Sequence, residues 1–121
     1  MNNLAQIEPI KQKIRTASIA VTALHKFIFE KEGDRKNRER LRDFEGFTFK
    51  KDTMGYVNKI EAARKLSIGD LISCCNILGL EYGGNREEII TRILYGLMDL
   101  DTLTRKDSEQ DGELDEDTSD S

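Results

Sequence analysis

The stretch Lys65–Met98, KLSIGDLISCCNILGLEYGGNREEIITRILYGLM, limits the fold more than any other part of this chain. Its apolar residues fall into two groups at helical spacing, separated by a turn that contains two adjacent glycines. Leu66, Ile68, Leu71, Ile72 and Cys75, closed by Ile77, Leu78 and Leu80, give one face. Ile89, Ile90, Ile93, Leu94 and Leu97 recur at i, i+1, i+4, i+5 and i+8, the wide stripe of a helix that faces a core. Ser67 stands where an N-cap belongs. Asn85, followed three residues later by Glu88, has the spacing of a capping box. Gly83 and Gly84 leave the turn free to adopt positive φ. Two short helices folded back as a hairpin follow from this pattern.

The segments upstream read as further helices. Met1–Arg15 carries Leu4, Ile7, Ile10 and Ile14 at helical spacing, interrupted by Pro9, and reads as a partly ordered arm. A helix capped by Thr16 or Ser18 runs to about Glu30, with Ala20, Leu24, Phe27 and Ile28 inward and Gly33 as its stop. Arg35–Phe44 is a short helix behind Asp34. Phe47 and Phe49 are expected in the core, and Asp52 caps a helix over Thr53–Lys65 in which Met54, Val57, Ile60 and Ala63 or Arg64 alternate between core and surface. Five helices and no strand pattern make an all-α domain. Beyond Leu100 the apolar periodicity stops, and residues 101–121 read as a disordered acidic tail.

At these positions two resemblances become legible. Leu66, Ser67, Ile68, Leu71, Gly79-Leu80, Gly84, Arg86, Glu88-Ile89-Ile90 and Arg92-Ile93 resemble the SAP motif, a helix–turn–helix DNA-binding module. Leu24-His25-Lys26, Gly33, Phe44, Gly46-Phe47 and Phe49, with Leu4, Ile7, Glu8 and Ile10 upstream, resemble the DEK chromatin-protein family, in which a pseudo-SAP segment packs against a true SAP motif. The resemblance spans residues 4–98. It implies a small five-helix domain: an arm over 1–15, a pseudo-SAP-like segment over 16–65, a SAP-like motif over 66–100 and the tail over 101–121. It also implies a nuclear, chromatin-associated protein that binds double-stranded DNA, structured or nucleosomal. Members of that family are much longer and carry a separate C-terminal DNA-binding domain.

Charge distribution carries the functional reading further. The net charge of −4 divides into a body and a tail of opposite sign. Residues 1–98 hold 17 basic and 13 acidic residues, and residues 99–121 hold two basic and ten acidic. Arg35, Lys36, Arg38, Arg40 and Arg42 lie within eight residues, and Lys50, Lys51, Lys59, Arg64 and Lys65 form a second group. Such clusters bind phosphates by releasing counterions, independently of sequence. A solvated charged face is the plainer account, because 35% of all residues are charged. Asn85 and Arg86 at the start of the last helix are a further candidate phosphate contact. In the SAP-like hairpin the first helix has Asp70 and no base, and Glu81, Glu87 and Glu88 surround its turn. That leaves open a histone- or protein-interaction module in which the hairpin is structural only. The tail fits an inert extension, a competitor for the basic face, or a contact for histones.

Catalysis and metal chemistry find no starting point here. The single histidine, His25, has no second histidine, CxxC or HExxH with it, and reads as a surface or partly packed residue. Cys74 and Cys75 are adjacent, poorly placed for a disulfide, and read as reduced thiols. Gly83-Gly84 lacks the Gly-Lys-Ser/Thr of a phosphate-binding loop. The expectation is a non-enzymatic protein with no cofactor, no metal, no small-molecule substrate and no membrane span, located in the nucleus.

Overall fold

The computed structural model of the chain describes residues 3–104. It is helical throughout its regular parts, with no strand among the described residues. A 3-10 turn, η1 (Leu4–Gln6), leads into α1 (Glu8–Thr16), α2 (Ser18–Phe29), α3 (Asn37–Asp43), α4 (Met54–Ala63), α5 (Ile68–Leu78) and α6 (Arg86–Met98). Among the described residues these seven elements, with a further helical turn at residues 100–104, replace the five helices expected, and η1 and α1 are the additions at the start of the chain. Pro9 does not interrupt the arm. It occupies the first turn of α1, where its missing N–H would have had no intrahelical partner. Leu4, Ile7, Ile10 and Ile14 are consequently all buried.

The core is organised around α2, which packs most extensively against α5. Val21, Leu24 and Phe27 of α2, Leu71, Cys74 and Cys75 of α5, and Ile89, Ile90, Ile93, Leu94 and Leu97 of α6 are buried in one core cluster. Helix α3 closes over η1, α1 and α2 through Leu41, and α4 leans on α6 through Ile60 and Ala63. The linker after α3 is stitched in at two points. Leu4 N donates to Phe44 O (3.0 Å), and Phe47 N donates to Leu97 O (2.8 Å). Phe44, Phe47 and Phe49 then run as a ladder of rings, with centroids 5.2 and 5.0 Å apart. All three are half-buried at the edge of the core, short of the full burial expected for Phe47 and Phe49. Met54 and Val57 remain exposed on α4.

Helix boundaries follow local capping chemistry. Ser67 Oγ accepts from Asp70 N (3.0 Å), and Asn85 and Glu88 complete a reciprocal capping box with both bonds at 2.9 Å. Thr53, one residue after the expected Asp52, caps α4 by accepting from Tyr56 N. Neither Thr16 nor Ser18 caps α2, whose N-cap is Ala17. Glu30, in the left-handed conformation (φ 66°), ends α2 three residues before Gly33. At the other end of the domain, residues 100–104 are helical and Leu103 is buried, so the packed body extends past the expected limit at Leu100. The rest of the expected tail lies outside the described residues. Among the described residues no helix is long and apolar enough to cross a membrane.

Candidate nucleic-acid interface

The twelve residues singled out for DNA contact divide into two sets of six. In the first, internal partners claim the side chain. Lys59 is the clearest correction. It is buried, and its Nζ donates to Phe27 O and Ile28 O (both 3.0 Å) and to Glu30 Oε2 (2.7 Å) while lying 5.1 Å from the Phe47 ring centroid. It sits at the end of α2, where orphan carbonyls and the negative pole of the helix favour a cation. Arg38, expected among the phosphate-contacting bases, instead turns inward. Its Nε donates to Ile14 O and its Nη2 to Ser18 Oγ (both 2.9 Å), which clamps the corner between α1 and α2. Arg64 forms a two-pronged pair with Glu87 (both 2.9 Å). Arg86 donates to Leu66 O (2.6 Å), and the Asn85 side chain is held in its capping box.

Arg40 belongs to a small network that no motif announces. His25 is buried, against the expectation of a surface or partly packed ring. Its Nδ1 lies 2.8 Å from Lys31 O and its Nε2 3.3 Å from Arg40 Nη1. A carbonyl only accepts and a guanidinium only donates, so these contacts have His25 Nδ1 donating to Lys31 O and Nε2 accepting from Arg40. Arg40 also reaches Asn37 Oδ1 and Asp34 Oδ2. That contact, followed by the Lys36 backbone N–H, holds the Asp34 carboxyl below the ordinary carboxylate range.

The second set is Arg35, Lys36, Arg42, Lys50, Lys51 and Lys65. All are exposed except Arg42, which is half-exposed. None is paired with an acidic side chain, since the described ion pairs involve Lys26, Arg40, Lys59 and Arg64. They occupy three places: the start and end of α3, the loop before α4, and the end of α4. Only in the loop is there an aromatic neighbour, with Lys51 Nζ 5.9 Å from the Tyr95 ring centroid. Tyr56 completes that cluster. Its bond to Tyr95 and its burial push its hydroxyl up to about 12, and Tyr56 and then Lys51 draw Tyr95 down.

The hairpin α5–α6 presents a different surface. Its two arginines both face the backbone, Arg86 as above and Arg92 donating to Glu81 O (2.6 Å) and Gly83 O (3.0 Å). Asp70, the acid on its first helix, is neutralised by Lys26 at 2.9 Å, a contact that also raises the Lys26 ammonium. The described part of the hairpin therefore offers no unpaired base from residue 66 to residue 100.

The chain is similar to protein DEK. The DEK proteins of Homo sapiens, Mus musculus and Rattus norvegicus are each 34% identical to it over 76 residues, which cover 62% of this chain. That match is 20% of each relative, so the chain spans about a fifth of the length of the proteins it resembles. No protein-family model matches the chain, and no solved structure matches it. The DEK-like relationship stands on sequence, and the SAP arrangement of α5 and α6 has no independent match.

Proposed function

We propose that this chain is a non-catalytic, chromatin-associated module of the nucleus that contacts the backbone of double-stranded DNA. The observation that supports the reading is the second set of bases: Arg35, Lys36, Arg42, Lys50, Lys51 and Lys65 reach solvent and form no ion pair among the described residues. The similarity to DEK supports it. Affinity would come from phosphate contacts and counterion release. The contact surface then lies on α3 and the α4 flanks, and the SAP-like hairpin acts as the scaffold behind it.

The experiment is duplex affinity of the full chain as a function of salt. Six phosphate contacts give a slope of log K against log[salt] of about −5. Reversing Arg35, Lys36 and Arg42 together to Glu makes that slope shallower by about 3 and leaves the helical circular dichroism intact. A flat slope for the unaltered chain overturns the reading. One observation favours the alternative, a histone- or protein-interaction module: both arginines of the hairpin are engaged by backbone carbonyls. Under that alternative histone binding persists where the salt slope is flat.

A further inference from the structure

Helix α1, expected as part of a loose arm, carries three bases: Lys11, Lys13 and Arg15. Their side chains go different ways. Lys13 Nζ donates to Asn76 O (2.8 Å), which ties one side of α1 to the end of α5. At about 100° per residue, Lys11 and Arg15 project about 160° away from Lys13, on the side turned from α5. Both are exposed, and neither belongs to an ion pair among the described residues. Arg15 donates to Gln12 Oε1 (2.5 Å) on its own helix, a bond that uses one of its N–H groups.

Helix α3 runs antiparallel beside α1. Its start meets the end of α1, where Arg38 donates to Ile14 O and Ser18 Oγ (both 2.9 Å). Its end meets η1, where Leu4 N donates to Phe44 O (3.0 Å). Arg35 and Lys36, just ahead of α3, therefore lie toward the Arg15 end of the pair, and Arg42 lies toward the Glu8 end. The acids are placed unevenly along this seam. Glu39 and Asp43 stand opposite the buried Asn37 and Leu41 on α3, turned out of the seam, and Glu8 and Glu45 stand at its Arg42 end. The other end holds Lys11, Arg15, Arg35 and Lys36, two bases from each side.

We infer that Lys11 and Arg15 are phosphate contacts for duplex DNA, so that the backbone of one strand lies along the α1–α3 seam. The inference deepens the function proposed above and rests on it. Lys11 and Arg15 are one turn apart, about 6 Å along the helix axis. That is close to two 3.4 Å steps along one strand, so the pair meets phosphates of the same strand. The row is also set in advance. Lys13 ties α1 to α5 and Arg38 clamps the corner between α1 and α2, which leaves only the two side chains to be ordered on binding.

The test is duplex affinity of the full chain as a function of salt, with Lys11→Gln and Arg15→Gln together against the parent. Glutamine keeps the helix propensity of the residues it replaces, so helical circular dichroism is unchanged. Two contacts beyond the six already counted steepen the slope of log K against log[salt] to about −7, and the double variant makes it shallower by about 2. Lys31→Gln removes one charge elsewhere and keeps the parent slope. Lys31 is exposed on the far flank of α3, where its carbonyl meets His25 and His25 meets Arg40. A steep parent slope that the double variant leaves unchanged overturns the inference and spares the proposed function. So does an equal loss per charge from Lys31→Gln, because the slope would then report total charge. A flat slope for the parent defeats the proposed function itself, and the inference with it.

Discussion

Replacing Lys59 with Met tests the division of the basic residues into internal and external sets. Met keeps the apolar stem of the lysine and removes its three donors, so the lost packing is small and the lost hydrogen bonds dominate. Phe27 O and Ile28 O, at the end of α2, lose the one side-chain donor that serves both. Two acceptors stripped of a charged donor cost about 2–5 kcal/mol, and loss of the cation at the negative pole of α2 adds about 0.3–1. Relief from holding an ammonium group in the interior offsets part of this, which leaves a net loss of about 2–4 kcal/mol. In a domain of this size that lowers Tm by at least about 8 °C. Urea unfolding followed by circular dichroism reads it as a lower midpoint at an unchanged m-value. Glu30→Gln is the control: the Glu30 side chain is 54% exposed, so that pair contributes at most about 1 kcal/mol. The same Lys59→Met protein should keep the salt slope of its parent for duplex DNA, whereas a phosphate-contacting lysine would take about one unit with it. A midpoint within about 0.5 kcal/mol of the parent, a shift no larger than an ordinary surface substitution gives, refutes the capping role. A slope reduced by one unit refutes the burial argument.

Two further outcomes follow from the same interior. Gly33→Ala should destabilise by about 2–4 kcal/mol in the same urea assay. Its φ of +83° costs a side chain about 1–2 kcal/mol, and the new Cβ would overlap Asn37 Oδ1 and stand 2.6 Å from His25 Cε1. Cys74 and Cys75 should resist a thiol reagent in the native protein at pH 8 and react fully in denaturant. Burial pushes both thiols up, Cys75 to about 11, so its thiolate is present at only about one part in a thousand. Prompt native labelling would show that α5 opens far more readily than its packing allows.

The readable parts of this chain are those where one residue's own chemistry decides the outcome. Ser67, Asn85 and Glu88 cap helices through their own side chains, with bonds to backbone groups three residues away, so spacing alone located α5 and α6. The wide apolar stripe of α6 admitted one orientation, and all five of its marked residues are buried. Pro9 misled because its effect depends on the helical register: in the first turn it is harmless, and inside a helix it is disruptive. Leu103 continues the three-residue spacing of Leu97 and Leu100 but stands at the edge of the acidic segment whose composition masks that signal, and Gly96 leaves room for its side chain on α6.

The basic residues were the hardest to read for a related reason. A lysine or arginine is long enough to lie along apolar surface and deliver its charge to a carbonyl many positions away, and nothing local marks which ones do so. Lys59 finds the end of α2, 31 and 32 positions back, and Arg38 reaches Ile14, 24 back. Arg35, Lys36, Lys50 and Lys51, in linker segments, stay outside. Among the twelve candidates the charge left at the surface is smaller than composition suggests and is set on the linkers around α3 and α4. The hairpin that resembles a DNA-binding motif has spent its own arginines on its turn and its junction with α4. A DNA-binding role for this chain consequently rests on the segment that resembles the motif least.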